Sequence, residues 1–254
     1  MKITFLGTGT SVGIPMIGCQ CETCLSCDTR DKRLRASIVL ENHGKKILVD
    51  PSIDFRQQAL RERLDTLDAI FVTHCHADHV FGLDDIRPIN FRSGVIGCYA
   101  SETTWRELKR IFSYVFKPFS LSSLPQIFAH TIEGKFSIFG LEVTPLEVIH
   151  GRLPVTAFRF NKTALSVAYV TDCNIIPENT LEQLQNLDLL ILDALRHREH
   201  PTHLTLEKSL KYIEQLRPRR ALLTHMSHDL KHEVVSNELP ENVALAYDGL
   251  QVNL

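Results

Sequence analysis

The sequence lacks any apolar run approaching the ~18 residues that a membrane-spanning helix needs. It also lacks a charge excess, because 28 basic residues face 30 acidic ones. That balance removes the electrostatic footprint of a general nucleic-acid binder, although a local phosphate pocket remains compatible with it. There is no low-complexity segment and no linker-like shift in composition, so 254 residues read as one domain spanning 1–254. The apolar stretch in "MKITFLGTGTS" is too short for a signal peptide, and the chain reads as cytoplasmic.

An even cysteine count is missing too. There are seven cysteines, and Cys19, Cys21, Cys24 and Cys27 fall within nine residues. In a cytoplasmic protein this crowding favours metal over disulfides. A CxCxxCxxC run pre-forms much of a tetrahedral thiolate site. An iron–sulfur cluster, a redox pair and four unrelated thiols stay open on the run alone.

Short apolar runs recur along the chain, among them "KITFLG", "ASIVLE", "KKILVD", "AIFVTH", "LEVTPLEVIH", "SVAYVTD", "LDLLILDAL" and "RALLTHMS". Several are continuous Val/Ile/Leu runs, which suits strands covered on both faces. Helical patterns lie between them at 54–64, 101–116, 178–187 and 204–216. The last carries apolar residues at 204, 206, 210, 213 and 216. The mixture predicts an α/β layered domain. "AIFVTHCHADH" and "RALLTHMSHDL" echo each other, as a duplicated half-domain would, and chance accounts for the echo nearly as well.

Chemistry concentrates in "FVTHCHADHV", residues 71–80. His74 and His76 are two apart, so an extended chain points both the same way. Asp78 and His79 follow where the chain turns. Three more candidates end apolar strands: His150, Asp172 and His225. His74, His76 and His150 complete one site; Asp78, His79 and His225 complete a second; Asp172 bridges them. Imidazole and carboxylate suit Zn²⁺, Mn²⁺ or Fe. Two ions about 3.5–4 Å apart can clamp and deprotonate a shared water for attack on an ester or phosphodiester.

"THCHADH" with His150, Asp172 and His225 resembles the metallo-β-lactamase superfamily. The resemblance implies an αββα four-layer sandwich with its metals at one edge. The presence of His79 resembles the dinuclear hydrolases of that superfamily. "FLGTGTSVGIPMIGCQCETC", "LLTHMSH" and "LAYDGL" resemble the phosphoribosyl cyclic phosphodiesterase (PhnP) family of the ribonuclease Z-like branch. This implies a structural Zn²⁺ on Cys19, Cys21, Cys24 and His228. Cys27 departs from the family's four-ligand pattern and competes with His228 for the fourth place. The resemblance also matches His203 to a histidine that approaches the scissile phosphate, making Asp78 and His203 the catalytic candidates. His197 and His200 are left unassigned.

The expected function is dinuclear, metal-dependent hydrolysis of a small, cyclic phosphodiester such as phosphoribosyl 1,2-cyclic phosphate, with Zn²⁺ or Mn²⁺ in the active site. Nucleic acid is disfavoured as substrate. The resemblance places a tRNA-gripping arm of ribonuclease Z between the third histidine and the bridging aspartate, and here only 21 residues separate His150 from Asp172. The alternatives are a ribonuclease Z-like RNA phosphodiesterase and an iron-dependent oxidoreductase on the same scaffold. No membrane partner is expected, and a homodimer is among the compatible states. Arg33 and Arg35 are phosphate contacts, solvated surface or a structural ion pair. Asp50 is a partner of a ligand histidine or a turn residue. Arg152 is a candidate substrate contact. Cys75 and Cys173 pack away from the metals, and Trp105 belongs to a helix core.

Overall fold

The computed structural model describes residues 1–116 and 124–254. The first half contributes β1 (Lys2–Gly7), β2 (Ser37–Asn42), β3 (Lys45–Val49), β4 (Ala69–Phe71), β5 (Ile96–Ala100) and β6 (Ile127–Thr131). The second contributes β7 (Phe136–Ile138), β8 (Leu141–His150), β9 (Leu153–Lys162), β10 (Leu165–Val170), β11 (Leu189–Asp193), β12 (Arg220–Thr224), β13 (Val243–Leu245) and β14 (Gln251–Asn253). The helices are α1 (Glu22–Leu25), α2 (Phe55–Glu62), α3 (Ala77–Val80), α4 (Arg87–Ser93), α5 (Glu102–Ile111), α6 (Glu178–Gln183), α7 (Leu206–Leu216) and α8 (His232–Ser236).

Two seven-stranded sheets result, ordered β14-β1-β2-β3-β4-β5-β6 and β7-β8-β9-β10-β11-β12-β13. Each has the same grammar. Three antiparallel pairings lead into three parallel ones, at β3–β4–β5–β6 and at β10–β11–β12–β13. Parallel neighbours need crossovers that put helices on the outer faces. The strands are therefore apolar on both sides. Ile47, Val49, Phe71, Val167, Tyr169, Leu189, Ile191 and Leu222 fill the space between the sheets. Their neighbours turn outward, Leu48, Ile70 and Val72 under α5, and Ala168, Leu190 and Leu223 under α6 and α7. This is the αββα sandwich. Phe71 is its hub, with ring centroids 5.1 Å from both Tyr99 and Phe158; truncating such a buried ring costs about 3–5 kcal/mol.

Sheet order matches the halves strand for strand, but not as the sequence echo suggests. β4 holds the same place in its sheet as β11, not β12, and β3 corresponds to β10. Asp50 follows β3 and Asp172 follows β10, with φ of 59° and 53°. His225 after β12 has φ 56°. A non-glycine residue in this left-handed region costs about 1 kcal/mol or more and marks functional turns. All three face the edge where the parallel strands end. In "FLGTGTS", Gly7 is required by a close approach, since a Cβ there would lie 2.0 Å from the Arg35 carbonyl oxygen.

Candidate metal centre

The site is built where β4, β8, β10, β11 and β12 reach their carboxyl ends. Past β4 the chain runs irregularly through Thr73–His76 and then enters the single turn of α3. His74 Nε2 and His76 Nδ1 come within 2.9 Å. His150 closes β8, and its Nδ1 is 2.7 Å from the Thr202 carbonyl, which fixes the ring and leaves Nε2 for the site. His74, His76, His150 and Asp172 place one donor atom each within 4.8 Å of one another. Asp78, His79, Asp172 and His225 form a second such group. Asp172 belongs to both, so the two groups share an edge. His76 is the solvent-facing member, while the rest are buried.

Hydrogen bonding within the protein does not account for this arrangement. His79 Nε2 lies 3.2 Å from Asp172 Oδ1 and 3.4 Å from Asp78 Oδ2. His225 Nε2 lies 3.2 Å and 3.7 Å from the same two oxygens. Yet both nitrogens are buried without a hydrogen-bond partner. Orphaned buried nitrogens are costly unless something absent from the side-chain set meets them. The field in the pocket indicates what fits. Burial works against the imidazolium of His79, yet Asp172, Asp78 and Asp50 hold its pKa well above the ordinary value. His225 behaves alike: burial opposes its charge, and Asp172 and Asp78 raise it to about 9. Burial would lift the Asp172 carboxyl, but His225 and His79 hold it well below the carboxylate range. Carboxylates that draw protons onto two buried rings also favour a divalent cation in their place.

His74 differs. Burial and the neighbouring His79 push its pKa well below the ordinary value, so it stays neutral with a lone pair free. Behind the second group, Asp50 accepts at 2.8 Å from His79 Nδ1, from the Thr73 amide at 2.8 Å and from the Thr73 hydroxyl at 2.9 Å. Of its two readings, the ligand-histidine partner is the one the geometry bears out.

A second cluster is held by the cysteine loop. The Sγ atoms of Cys19, Cys21 and Cys24 lie 3.2, 3.5 and 3.6 Å from His228 Nδ1. One ring nitrogen cannot hydrogen-bond three sulfurs, whereas the N···S edge of a tetrahedral Zn²⁺ site is about 3.5 Å. Cys27 is exposed and is not a member of the group. Of the two candidates for fourth member, the structure brings in His228.

The profile of a β-lactamase superfamily domain matches residues 45–226. The chain belongs to the β-lactamase superfamily. The crystal structure of a diphosphatase from the PhnP family superposes with a TM-score of 0.92 at 43% identity, covering 100% of this chain and 97% of that one. An octanoyltransferase of Porphyromonas gingivalis is 37% identical over 256 residues, which is 99% of this chain and 51% of that protein. A ribonuclease Z of Methanosarcina acetivorans is 28% identical over 156 residues, covering 59% of this chain and 41% of its own length. The chain thus spans about half the length of these curated relatives. What it shares with that superfamily is a domain carrying two His/Asp donor groups able to hold metal ions.

Around this superfamily centre the remaining candidates separate. His203 lies in the segment after β11, stacked 4.8 Å from His225 and edge-on 4.5 Å from His150. Its Nδ1 is 3.0 Å from Asp193 Oδ2. Asp193 was not anticipated. Its other oxygen is an orphan facing His225 Nδ1 at 3.8 Å, so one carboxylate stands behind two site histidines. The available signal was its place as the last residue of "LLILD", a strand-end carboxylate like Asp172. His200 packs 5.1 Å from His203, while His197 is exposed.

Arg33 and Arg35 both resolve as structural. Arg33 is buried and donates to the carbonyls of Ser227 and Leu230 and to Asp31. Arg35 pairs with Asp54 at 3.2 Å and donates to the Ser11 carbonyl. Arg152 is exposed just past His150. Cys173 is buried in the outer layer of the second sheet, Cys75 packs on that of the first, and Trp105 is buried there with Nε1 on the His130 carbonyl.

Proposed function

We propose that this domain hydrolyses a small, cyclic phosphodiester, such as phosphoribosyl 1,2-cyclic phosphate, at a two-metal centre. The observation that carries the reading is the pair of donor groups sharing Asp172, with His203 stacked against one of them. His74, His76 and His150 hold one ion, Asp78, His79 and His225 the other, and Asp172 stands between them. When bound, two ions such as Zn²⁺ or Mn²⁺ supply Lewis acidity for a phosphoryl oxygen and lower the pKa of water toward neutrality. Cys19, Cys21, Cys24 and His228 hold a separate structural Zn²⁺.

The chain's own groups do the rest. Asp50 keeps His79 aimed through its Nδ1. Asp193 does the same for His203, leaving the opposite nitrogen of that ring to steady phosphoryl charge or to deliver a proton to the leaving oxygen. The chain between His150 and Asp172 favours a small substrate. β9 and β10 occupy it almost entirely as a tight antiparallel pair, so it projects no RNA-binding arm.

A panel of cyclic ribose phosphates, cyclic nucleotides and tRNA precursors, assayed with Zn²⁺ and with Mn²⁺, tests this. Cyclic diesters are expected to be cleaved, and Asp78→Ala to lose at least about 100-fold in kcat/KM, the range seen when a group aiding the transition state is removed. Cleavage of tRNA precursors with no turnover of small diesters would reverse the assignment in favour of a ribonuclease Z-like activity.

A further inference from the structure

Exposed apolar residues scattered singly need no explanation, but a group of them beside a reaction centre does. Val12 is 48% exposed, Ile53 47% and Phe81 45%. Val12 and Ile53 lie in two turns and Phe81 opens a short 3₁₀ helix after α3, and hydrogen bonds tie the three segments together at the edge of the second donor group. The Arg35 guanidinium donates to the Ser11 carbonyl at 3.0 Å and pairs with Asp54, tying the Val12 loop to the Ile53 loop. The Gly82 amide donates to the Pro51 carbonyl at 3.0 Å, tying the Ile53 loop to Phe81. That approach is so close that a Cβ on Gly82 would lie 2.1 Å from the Ser52 carbonyl oxygen. Pro51 directly follows Asp50, which holds His79, and Phe81 is two residues beyond His79. The lip therefore continues outward from the donor group itself.

Its character excludes some ligands. Arg35 is already spent on Asp54 and Ser11, so it offers no free cation to a second phosphate. Phe81 is backed edge-on by Phe112, with centroids 6.1 Å apart, and presents a supported aromatic surface to solvent. Such a surface gains most from a flat ring, whose face it can cover.

We propose that this lip seats the organic substituent of the phosphodiester, and that among small diesters the site favours those carrying a planar ring, aryl or nucleobase, over those carrying only alkyl groups. The inference rests on the phosphodiesterase reading and narrows its substrate class.

Calorimetric titration of the metal-loaded full chain with diphenyl phosphate and with dimethyl phosphate tests it. The wild type should bind the diphenyl ester at least about tenfold tighter, as expected for one seated ring. Phe81→Ser and Ile53→Ser should each cut that preference to about threefold or less, with unchanged circular dichroism. Equal binding of the two esters by the wild type, or a preference surviving in both variants, overturns the lip and leaves the phosphodiesterase reading standing. Failure to bind either ester overturns both. A concentration-dependent dimer that Ile53→Ser splits, without any ring preference, would make the lip a contact between copies of this chain and also overturn the proposal.

Discussion

A histidine gives a cation one nitrogen reliably only when its other nitrogen is held. At this site the holders differ in kind: a carboxylate for His79 and for His203, a carbonyl for His150, a threonine hydroxyl 3.0 Å away for His74. Asp50 is the sharpest case, because its burial leaves His79 Nδ1 no solvent to turn to. Asp50→Asn should keep the fold and lower the affinity of the active-site ions about 10–100-fold. Competition with a chromogenic chelator measures it, and unchanged affinity would remove Asp50 from the account. The seven proposed ligands were legible in the sequence because each follows an apolar run or lies in one short motif. Asp193 was not, since a carboxylate ending "LLILD" carries no signal until His203 is seen beside it. Arg33 and Arg35 show the converse limit: burial decides their role, and a sequence displays an arginine without its partners.

At the scale of elements, the long periodic segments were read well and the edges poorly. The helix expected over 204–216 forms as α7, with Thr205 capping it through the Lys208 amide. The pattern over 54–64 forms α2 and stops where Arg63 takes a left-handed turn, φ 52°. The pattern over 101–116 shortens to α5, because the chain turns at Phe112 to bury that ring. Strands β6, β7, β13 and β14 went unseen. They have three to five residues each, lie at or near sheet margins and are defined by their neighbours rather than by their own hydrophobicity. The cysteine loop is the element whose order depends most on a ligand, since α1 has only four residues and Cys21 is its N-cap. Cys24→Ser should therefore release one metal per chain and lower Tm by about 10 °C or more, as loss of a structural zinc does. Cys27→Ser should change neither, by elemental analysis and thermal unfolding. If Cys27→Ser behaves like Cys24→Ser, the fourth-ligand assignment to His228 fails.

For the whole molecule, continuous apolar strands alternating with helical patterns implied a layered α/β domain, and the resemblance implied its four layers. What could not be read from the sequence was the correspondence of the halves. Parallel pairing and sheet order establish it, and neither leaves a local trace in composition. The correspondence explains the position of the centre: both sheets end their parallel strands at one edge, so His74 and His79 from one half meet Asp172 and His225 from the other without a long loop. Among the described residues no helix is long and apolar enough to cross a membrane. The most direct test of the central claim is hydrolysis of bis(p-nitrophenyl) phosphate by protein stripped of its active-site ions and titrated with Zn²⁺ or Mn²⁺. Activity should be absent at the start, rise with added metal and saturate near two equivalents per chain. Full activity in the stripped protein, or two bound equivalents with no diester turnover, would contradict it.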